Sequence, residues 1–361
     1  MRILGRMAKW AGLLLVALVA AGALYQQIGA LVDDATVPPD GRIVIVNGHA
    51  VHIVCTGAGD RTLMLDAGLG AASFEWYRLQ PMLAAKFRVC AFDRPGQGTS
   101  AAIAHAFDGA TAADELHALI AAAGIRPPFV YVGHSLGANF AQIYAARYPR
   151  DLDAAVLIEP GVPADLLEGF KGSRADALAM PATCEWTCMA GWSAGALGVT
   201  RFVVNHVYTG ASAMGHDARA IAGYHAAAAR TSMAGVGAAY FAALPKIAYQ
   251  VTDAHPPRAL PVLVLASAIA PPPDTGETQA DMAAWRRRQL GWFATLTAAS
   301  AHGEGPVTIA NSTHASMVMG APAAQTAAVI AAFLATLPRA DASETPPTAS
   351  KSGAAHGGNK S

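Results

Sequence analysis

Residues 130–145 read VYVGHSLGANFAQIYA, and this stretch decides the fold class. An apolar run comes first, a Gly-His-Ser-Leu-Gly step follows, and an alanine-rich helical pattern ends the stretch. A strand, a sharp turn and a helix in this order are typical of a nucleophile elbow, in which a strained turn holds a serine at the edge of a sheet. Ser135 is therefore predicted to be a nucleophile. The alternative is a serine in a structural Gly-Ser turn.

The rest of the chain alternates short apolar runs with helical patterns. Two runs, 42–46 and 51–55, flank Asn47-Gly48, which is a strong hairpin signal. Six further runs are predicted to be strands: 62–66, 87–92, 129–133, 154–159, 261–266 and 306–310. Several are continuously apolar, as is typical of parallel strands covered on both faces. We therefore predict an α/β fold with eight strands in a mostly parallel sheet.

Helical patterns lie between most of the strands. Residues 111–124 read TAADELHALIAAAG, in which Thr111 with Asp114 three residues later is typical of a helix N-terminus. Gly124 closes this helix, and Pro338 ends a last amphipathic pattern over 325–337.

One long interval interrupts the alternation of strands and helices. Residues 161–260 contain many Ala, Gly, Met and aromatic residues but no convincing strand. We predict that this interval is a helical cap inserted after the sixth strand, and that residues 42–160 and 261–338 form the core. The polar, low-complexity sequence of residues 339–361 predicts a disordered tail.

The N-terminus has the charge pattern of an export signal. Three cationic residues precede a charge-free apolar run from Trp10 to Tyr25. We predict a membrane anchor or signal segment over residues 1–32 and a linker over 33–41. An uncleaved anchor with the catalytic domain outside the cytoplasm (periplasmic or extracellular) is favoured. The alternatives are secretion after cleavage near Ala21-Gly22-Ala23 and a buried core helix.

The charge balance of the body argues against nucleic acid as a partner. Residues 33–337 carry 19 Lys and Arg against 23 Asp and Glu, a net charge of −4, and no basic stripe. Three consecutive arginines, Arg286–Arg288, lie in a helical pattern and are interpreted as a solvated helix face. The alternative interpretation is contact with an acidic substrate or headgroup.

A nucleophilic serine needs backbone donors for the oxyanion that its attack creates. The third predicted strand ends at Asp66 and leads into Ala67-Gly68-Leu69-Gly70, a flexible loop at the same edge of the sheet as Ser135. The N–H groups of Leu69 and Leu136 are predicted to form the oxyanion hole. The alternative is that the Gly-Leu-Gly sequence is only a strand-to-helix turn.

Three segments in this order and spacing resemble the serine-dependent α/β-hydrolase superfamily: LDAGLGAASFEW, VCAFDRPGQGTS and VGHSLGANFAQIYAARYP. The second contains a D-R-x-G-x-G-x-S loop, Asp93–Ser100, similar to that of esterase-like members. The resemblance is good over residues 42–160 and looser over 261–337, and it implies an α/β-hydrolase fold that needs no cofactor or metal. Serine at position 135 separates the chain from dehalogenase and epoxide-hydrolase relatives, whose resemblance would require Asp there.

The resemblance also bears on the four cysteines. In this fold the second and fourth strands are neighbours, which implies that Cys55 and Cys90 lie within disulfide reach. Cys184 and Cys188 are four residues apart, and an even count suits an oxidising compartment. The alternative is four buried thiols. No CxxC pair or His/Cys cluster in the sequence indicates a metal site.

The general base is expected after the last strand, because hydrolases of this kind carry serine, acid and histidine in that order. His314 lies between the last predicted strand and the last helix, where a neutral imidazole accepts the Ser135 proton. The competing histidines fit less well: His302 precedes the strand, His134 points elsewhere on a tight turn, and His52 lies in an early strand. A surface loop histidine is the alternative for His314.

The acid is where the sequence departs from the family pattern. Most relatives carry Asp soon after the seventh strand, but here Ser267 to Pro273 contains no carboxylate and the first one is Asp274. Glu159 ends the sixth strand at the same sheet edge, a place that some relatives use for the acid. We predict Glu159 as the acid, with Asp274 as the alternative. A loop carboxylate that binds backbone amides is the other interpretation of Glu159.

These residues predict a serine hydrolase that cleaves carboxylic esters with a hydrophobic portion through an acyl-enzyme intermediate. The predicted partners are a small hydrophobic ester and, through the N-terminal segment, a membrane. The same triad also suits an amidase, a C–C hydrolase or an acyltransferase. A non-catalytic binding protein with the hydrolase fold is the alternative outside enzymes.

Overall fold

In the computed structural model, an eight-stranded sheet lies at the centre of the protein. The structure describes residues 2–36, 40–102, 108–180, 186–206, 218–271 and 278–338. The strands are β1 (Arg42–Val46), β2 (His49–Thr56), β3 (Thr62–Asp66), β4 (Arg88–Phe92), β5 (Phe129–His134), β6 (Leu152–Ile158), β7 (Val262–Ser267) and β8 (Gly303–Ile309). All eight predicted strands are confirmed, with small differences at their ends.

The strand order explains why the candidate site residues meet. The order across the sheet is β1-β2-β4-β3-β5-β6-β7-β8. Pairing is antiparallel between β1 and β2 and between β2 and β4, and parallel for all other neighbours. The carboxyl ends of β3 and of β5 to β8 therefore lie at one edge of the sheet. The predicted mostly parallel sheet is confirmed.

Helices cover both faces of the sheet. On one face are α3 (Gly109–Ala122), α4 (Leu136–Arg147) and α11 (Gln279–Ala299), and on the other α2 (Leu79–Ala84), α12 (Ser316–Met319) and α13 (Ala323–Thr336). Along β3, Met64 faces the first layer, whereas Leu63 and Leu65 face the second, and all three are fully buried. Both faces of a parallel strand are thus apolar, which is why these strands appear in the sequence as continuous apolar runs.

The predicted disulfide between the second and fourth strands is confirmed. Cys55 and Cys90 are directly paired across β2 and β4, and their sulfur atoms are bonded. Cys184 and the side chain of Cys188 lie outside the described residues.

The start of α3 differs from the prediction. The helix begins at Gly109, and its N-cap is Asp108, whose carboxylate accepts a 2.9 Å hydrogen bond from the Thr111 N–H. The predicted start at Thr111 with Asp114 is wrong, because Asp114 instead pairs with Arg147 on α4. The N-cap acceptor lies three residues before the predicted start at Thr111, and it satisfies a first-turn N–H that has no acceptor within the helix. The predicted C-terminal Gly124 lies just past the helix with a positive φ of 69°.

The described part of the interval between β6 and β7 is helical, as predicted for residues 161–260. It contains α5 (Pro163–Leu166), α6 (Arg174–Ala179), α7 (Trp186–Ala196), α8 (Val199–His206), α9 (Ala218–Ala228) and α10 (Thr231–Asp253). The long helix α10 packs on the core through Tyr240, whose ring lies 5.9 Å from that of Phe140 on α4. We refer to α5–α10 as the inserted helices.

The N-terminal segment forms one long helix, α1 (Arg2–Thr36). Its span Ile3–Thr36 contains an 18-residue window with a mean hydropathy of 1.9 and is long and apolar enough to cross a membrane or to serve as a signal. Residues 33–36 of the predicted linker over 33–41 belong to this helix, and residues 37–39 lie outside the described residues. Asp33 and Asp34 form ion pairs with the inserted helices at this end, which stabilises the last turn. The predicted tail, 339–361, lies outside the described residues.

Candidate active site

Ser135 lies on a sharp turn between β5 and α4, at the carboxyl edge of the sheet. Its backbone has φ 53° and ψ −119°, a conformation that L-residues other than glycine rarely adopt. Hydrogen bonds on both sides hold the turn: the Ser135 N–H donates to Ile158 O at 2.9 Å, and the Ala138 N–H donates to Ser135 O at 3.0 Å. Strain of this kind costs about 1–3 kcal/mol and persists only where the surroundings enforce it. The geometry is that of a nucleophile elbow.

Two glycines make this turn possible. A Cβ on Gly133 would lie 2.4 Å from the Gly137 carbonyl, and a Cβ on Gly137 would lie 2.2 Å from Asp66 O. Both distances are far below van der Waals contact, so neither position accepts a side chain without moving backbone. The glycines of the G-x-S-x-G pattern are thus explained by the close approach of β3, β5 and α4.

His314 follows β8, as the sequence predicts for the base. It lies in the loop before α12, and its side chain is 48% exposed. Its ring centroid is 4.5 Å from that of His134, the residue directly before Ser135. The His314 loop therefore lies against the elbow, and its imidazole has access to solvent.

Glu159 directly follows β6 and is buried beside His314. Its Oε2 is 3.8 Å from His314 Nδ1, which is the separation of an ion pair rather than of a short hydrogen bond. Its backbone is in the left-handed region with φ 45°, and its N–H donates to Leu265 O at 2.9 Å. The turn after β6 thus aims the carboxylate back along the sheet edge.

The end of β7 holds the Glu159 carboxylate in place. Ser267 donates to it twice, from its N–H to Oε2 at 3.0 Å and from its Oγ to Oε1 at 2.8 Å. Gln289 on α11 donates from Nε2 to Oε1 at 3.1 Å. Burial alone would raise the pKa of Glu159, but His314 and the Ser267 hydrogen bond outweigh it and lower this pKa to about 2. Glu159 is therefore ionised at neutral pH.

The three consecutive arginines do not form one solvated face. Arg286 turns inward, donates to the Ser267 carbonyl, and lies 3.5 Å from Glu159 Oε1. The interpretation of the run as a solvated helix face is wrong for Arg286, because its guanidinium offsets the charge of a buried carboxylate. The half-exposed Arg288 lies 3.6 Å from Asp165.

The alternative acid, Asp274, lies outside the described residues. Ser267 ends β7, which is the strand after which most relatives carry their acid. At this position the chain has a hydroxyl that binds Glu159 instead of a carboxylate.

The predicted oxyanion loop lies against the elbow. A Cβ on Gly68 would lie only 3.3 Å from the Ser135 Cβ. The loop that carries Leu69 is therefore in contact with Ser135. Leu136 is the first residue of α4, and a first-turn N–H has no acceptor within its own helix. Among the described residues, no acceptor takes the Leu69 N–H.

Arg94 of the D-R-x-G-x-G-x-S loop fixes the backbone of the oxyanion loop. It is buried and donates to the carbonyls of Ala67 at 2.7 Å and Gly68 at 2.6 Å, and it also pairs with Asp66. Burial opposes its charge, but Asp66 and the facing tyrosines keep the pKa of Arg94 raised. The Ala67 and Gly68 carbonyls are thus tied to Arg94, which fixes the backbone that carries the Leu69 N–H.

A second buried pair, Glu75 with His134, was not found from the sequence. His134 Nδ1 lies 2.7 Å from Glu75 Oε1, and both side chains are almost fully buried. Glu75 Oε2 accepts the Gly68 N–H at 2.8 Å, and His134 Nε2 donates to the His314 carbonyl at 3.1 Å. The pair thus connects the oxyanion loop, the elbow and the base loop.

The electrostatics of this pair favour its charged form. Burial lowers the pKa of His134, but the charge and hydrogen bond of Glu75 outweigh it, so this pKa is raised overall. Burial likewise opposes ionisation of Glu75, but His134 and the Gly68 N–H lower its pKa overall. Both ring nitrogens of His134 are engaged in hydrogen bonds, to Glu75 and to the His314 carbonyl. His134 is therefore a positioning residue and not a base.

The other competing histidines are remote from the serine. His52 is buried with Nδ1 3.0 Å from Asp93, and its Nε2 contacts Asp40 O at 2.5 Å. His302 lies on the surface next to β8. Neither is placed to accept a proton from Ser135.

A cavity of about 220 Å³ lies away from this site. It is lined by Val262 at the amino end of β7, by Ala155 in the middle of β6 and by Trp292 on α11. Ser135 lies at the opposite, carboxyl edge. Among the described residues, no group of three or more His, Cys, Asp or Glu is arranged to hold a metal ion.

Comparison with known proteins agrees with this geometry. The sequence model of a family described as alpha/beta hydrolase fold matches residues 62–181, the segment that contains the oxyanion loop, the elbow and Glu159. The chain has the α/β-hydrolase fold. The resemblance to the α/β-hydrolase superfamily is thereby confirmed.

Individual relatives match over part of the chain. An uncharacterized protein, YqjL of Bacillus subtilis, is 29% identical over 118 residues, 32% of this chain and 47% of the relative. A pimeloyl-[acyl-carrier protein] methyl ester esterase of Sodalis glossinidius is 32% identical over 128 residues, covering 32% and 47%. The chain thus spans about half the length of these curated relatives. A putative epoxide hydrolase of Pseudomonas aeruginosa has a similar structure, with a TM-score of 0.59 at 19% identity over 82% of this chain and 95% of that one.

Proposed function

We propose that this α/β hydrolase is a serine hydrolase that cleaves carboxylic esters with a hydrophobic portion. The observation that carries the proposal is the left-handed turn at Ser135, which only a closely packed set of glycines permits. A strained serine at the carboxyl edge of such a sheet presents its Oγ to a substrate. The nearby His314 and Glu159 are of the types that activate a serine.

In the acylation step, Ser135 Oγ attacks the carbonyl carbon of the ester while its proton passes to the His314 imidazole. The carbonyl oxygen becomes an oxyanion, which accepts hydrogen bonds from the Leu69 and Leu136 N–H groups. When the intermediate collapses, the bond to the alcohol oxygen breaks and the imidazolium returns its proton to the leaving alcohol. The product is an acyl-enzyme on Ser135.

In the deacylation step, His314 takes a proton from water, and the hydroxide attacks the acyl carbon. The same two N–H groups hold the second oxyanion. Collapse releases the carboxylic acid and returns the proton to Ser135. The exposure of the His314 side chain supports this step, because water reaches the imidazole directly.

Glu159 is proposed as the acid that orients His314. It is buried, ionised and fixed by hydrogen bonds from Ser267, and it lies at ion-pair distance from His314 Nδ1. A carboxylate in this position selects the tautomer with a free Nε2 and stabilises the imidazolium that forms during the reaction.

The hydrophobic portion of the substrate is proposed to lie against the inserted helices. Tyr224 on α9 packs edge-on against Phe74, which is five residues after Leu69, with ring centroids 5.1 Å apart. Apolar and aromatic walls with few polar groups are usual in pockets for apolar ligands. Ester chemistry is further supported by the relative named as a methyl ester esterase.

Helix α1 is proposed to remain attached as a membrane anchor, with the hydrolase body outside the cytoplasm. No residue of its apolar window is buried, unlike those of the core helix of a soluble protein. The cationic residues at its start favour the cytoplasmic side for the N-terminus.

A fluorophosphonate probe tests the proposed function. The intact protein is expected to be labelled, Ser135→Ala is expected to be unlabelled, and Ser173→Ala, which changes an exposed serine on the inserted helices, is expected to label normally. Equal labelling of Ser135→Ala, or none of the intact protein, would support a non-catalytic binding protein instead. Turnover of p-nitrophenyl esters of increasing chain length then defines the acyl preference.

A further inference from the structure

The second half of α1 is built into the folded body. Gly22, Gln26, Gly29 and Asp33 recur at the spacing of one helix face and contact α8 and its neighbours. A Cβ on Gly22 would lie 2.5 Å from Leu197 O, so the two backbones are in direct contact. This close packing fixes where the body lies along α1.

Buried polar contacts strengthen this docking. Arg201 on α8 is 3% exposed, donates from Nε to Gln26 Oε1 at 3.1 Å and pairs with Asp33 at 2.8 Å. Gln26 in turn donates to the Ala229 carbonyl at 3.1 Å, just past α9. Separating a buried guanidinium from these partners is expected to cost free energy, because its charge would be left uncompensated.

The length of α1 then places the docked half inside the bilayer. The last cationic residue before the apolar run is Lys9, and a hydrocarbon core of about 30 Å needs roughly 20 helical residues. The crossing segment therefore extends at least to Gly29. Since contact with the body begins at Gly22, the contact zone overlaps the outer part of the bilayer by about 12 Å. Tilting of α1 would increase this overlap, because a tilted helix needs more residues to cross.

The surface next to this contact zone is suited to lipid. Helix α8 buries Arg201 and Val204 but exposes Val199, Phe202 and Val203, and Leu197 precedes them. We call these four exposed residues the α8 apolar face. It begins at the level of Gly22, where the contact between Leu197 and α1 occurs. Exposed apolar side chains that lie next to one another are typical of an interaction site.

We propose that the α8 apolar face is immersed in the outer leaflet of the membrane that α1 crosses, so that the hydrolase takes esters dissolved in the bilayer. This inference rests on the proposed anchor and deepens the proposed function. Helix α9 connects α1 to the candidate site: Ala229, the residue after α9, accepts a hydrogen bond from Gln26 of α1, and Tyr224 on α9 contacts Phe74 beside the oxyanion loop. Five residues of helix, about 7 Å, separate these contacts.

Depth-dependent fluorescence quenching tests the immersion without using activity. The full chain, with Cys184→Ser and Cys188→Ser and with the Cys55–Cys90 disulfide retained, carries one NBD-labelled cysteine and is reconstituted in phosphatidylcholine vesicles. The label replaces Val199 on α8, Leu14 on α1 or Ile45 on β1, which are 51%, 62% and 65% exposed. Ile45 is the matched control, an exposed apolar residue on the edge strand β1.

Nitroxide attached near the top of the lipid acyl chains is expected to quench the label at 199 and at 14, and to leave the label at 45 unchanged. Quenching at 14 but not at 199 would overturn the immersion while leaving the anchor intact. Quenching at neither position would overturn both. None of these outcomes depends on whether the chain hydrolyses esters.

A kinetic comparison tests access from the bilayer. The double variant Val199→Asp with Phe202→Asp is expected to lose turnover of a long-chain ester embedded in vesicles, while turnover of a water-soluble short-chain ester is unchanged. Equal turnover of the embedded ester by the variant and the unmodified chain would overturn access from the bilayer. Failure of the short-chain reaction in both proteins would instead count against the proposed function.

Discussion

His134 Nδ1 and Glu75 Oε1 lie 2.7 Å apart in a buried pair whose outer atoms bind the His314 carbonyl and the Gly68 N–H. The residue next to the candidate nucleophile is therefore tied to both loops that complete the site. Any movement of the base loop relative to the oxyanion loop must break one of these bonds. The pair acts as a positioning device, although neither side chain takes part in the proposed chemistry.

Glu75→Gln is expected to destabilise the protein strongly. It leaves His134 buried without a carboxylate partner, and loss of one member of a buried pair costs about 3–5 kcal/mol. The matched control is Asp253→Asn, which removes one member of the half-exposed Arg174–Asp253 pair and is expected to cost far less, because solvent screens that pair. Urea unfolding of both variants measures the difference. Similar costs for the two variants would show that the buried pair has no special role.

The same pair predicts a window of pH in which it stabilises the fold most. The pKa of His134 is raised, so its contribution is complete below the ordinary value of 6.5 and is lost as pH rises through the pKa of the folded state. The pKa of Glu75 is lowered, so its contribution is complete above 4.5 and is lost as pH falls through the folded value. The difference in unfolding free energy between the unmodified chain and His134→Asn is expected to be largest between these values. A difference that is constant with pH would contradict the prediction.

Glu159→Gln is expected to reduce turnover far more than Asp274→Asn. The amide cannot select the required tautomer of His314 or stabilise its cation, and loss of the orienting acid lowers kcat on the order of 10³- to 10⁴-fold. Steady-state kinetics on a p-nitrophenyl ester gives both values. A larger loss in Asp274→Asn would assign the acid to Asp274 instead, and Glu159 would then be a structural carboxylate for Ser267.

Gly137→Ala is expected to destabilise the elbow, because the new Cβ would lie 2.2 Å from Asp66 O on β3. Overpacking of this kind costs about 1–3 kcal/mol. Gly237→Ala is the control, since a Cβ there meets nothing within 4 Å and the residue lies within α10. Alanine at position 237 is expected to stabilise the helix by up to about 1 kcal/mol. A shift of the unfolding temperature in the same direction for both variants would argue against the close approach at the elbow.

The disulfide is expected to contribute measurably to stability. Cys55 and Cys90 are 35 residues apart, and closure of a loop of this length stabilises by about 4 kcal/mol when the main effect is on the unfolded chain. The double variant Cys55→Ala with Cys90→Ala measures the loss by denaturant unfolding. A thiol assay on unreduced, denatured protein is expected to find fewer than four free thiols. Four free thiols would show that the bond does not form.

The parts of the fold that could be predicted from the sequence are those with a local signature. The run at 130–132 is continuously apolar because both faces of β5 are covered, and Ser135 lies between glycines because β3 and α4 approach the turn. The Asp108 cap was missed because the capping side chain precedes the apolar pattern.

The features that the sequence does not predict depend on contacts between segments that are far apart in the chain. Glu75 and His134 are 59 residues apart, and nothing in the local pattern of either predicts that they meet. Glu159 was favoured on strand position alone, and its hydrogen bonds from Ser267 are visible only once β6 and β7 are aligned. The face of α1 that contacts α8 looks in the sequence like part of a uniform apolar run. The need for glycine at positions 22 and 29 becomes visible only when α8 is packed beside them.

The docking of α1 has a practical consequence for preparing the protein without detergent. Removal of the whole helix would take Gln26 and Asp33 from Arg201 and uncover the surface that α1 covers, so it is expected to destabilise the inserted helices. A truncated form should therefore start just before Gly22 and retain the chain through Asp34, with polar substitutions on the outward face of that short helix. Such a shortened protein would keep its docking contacts while losing most of the segment that is proposed to cross the membrane.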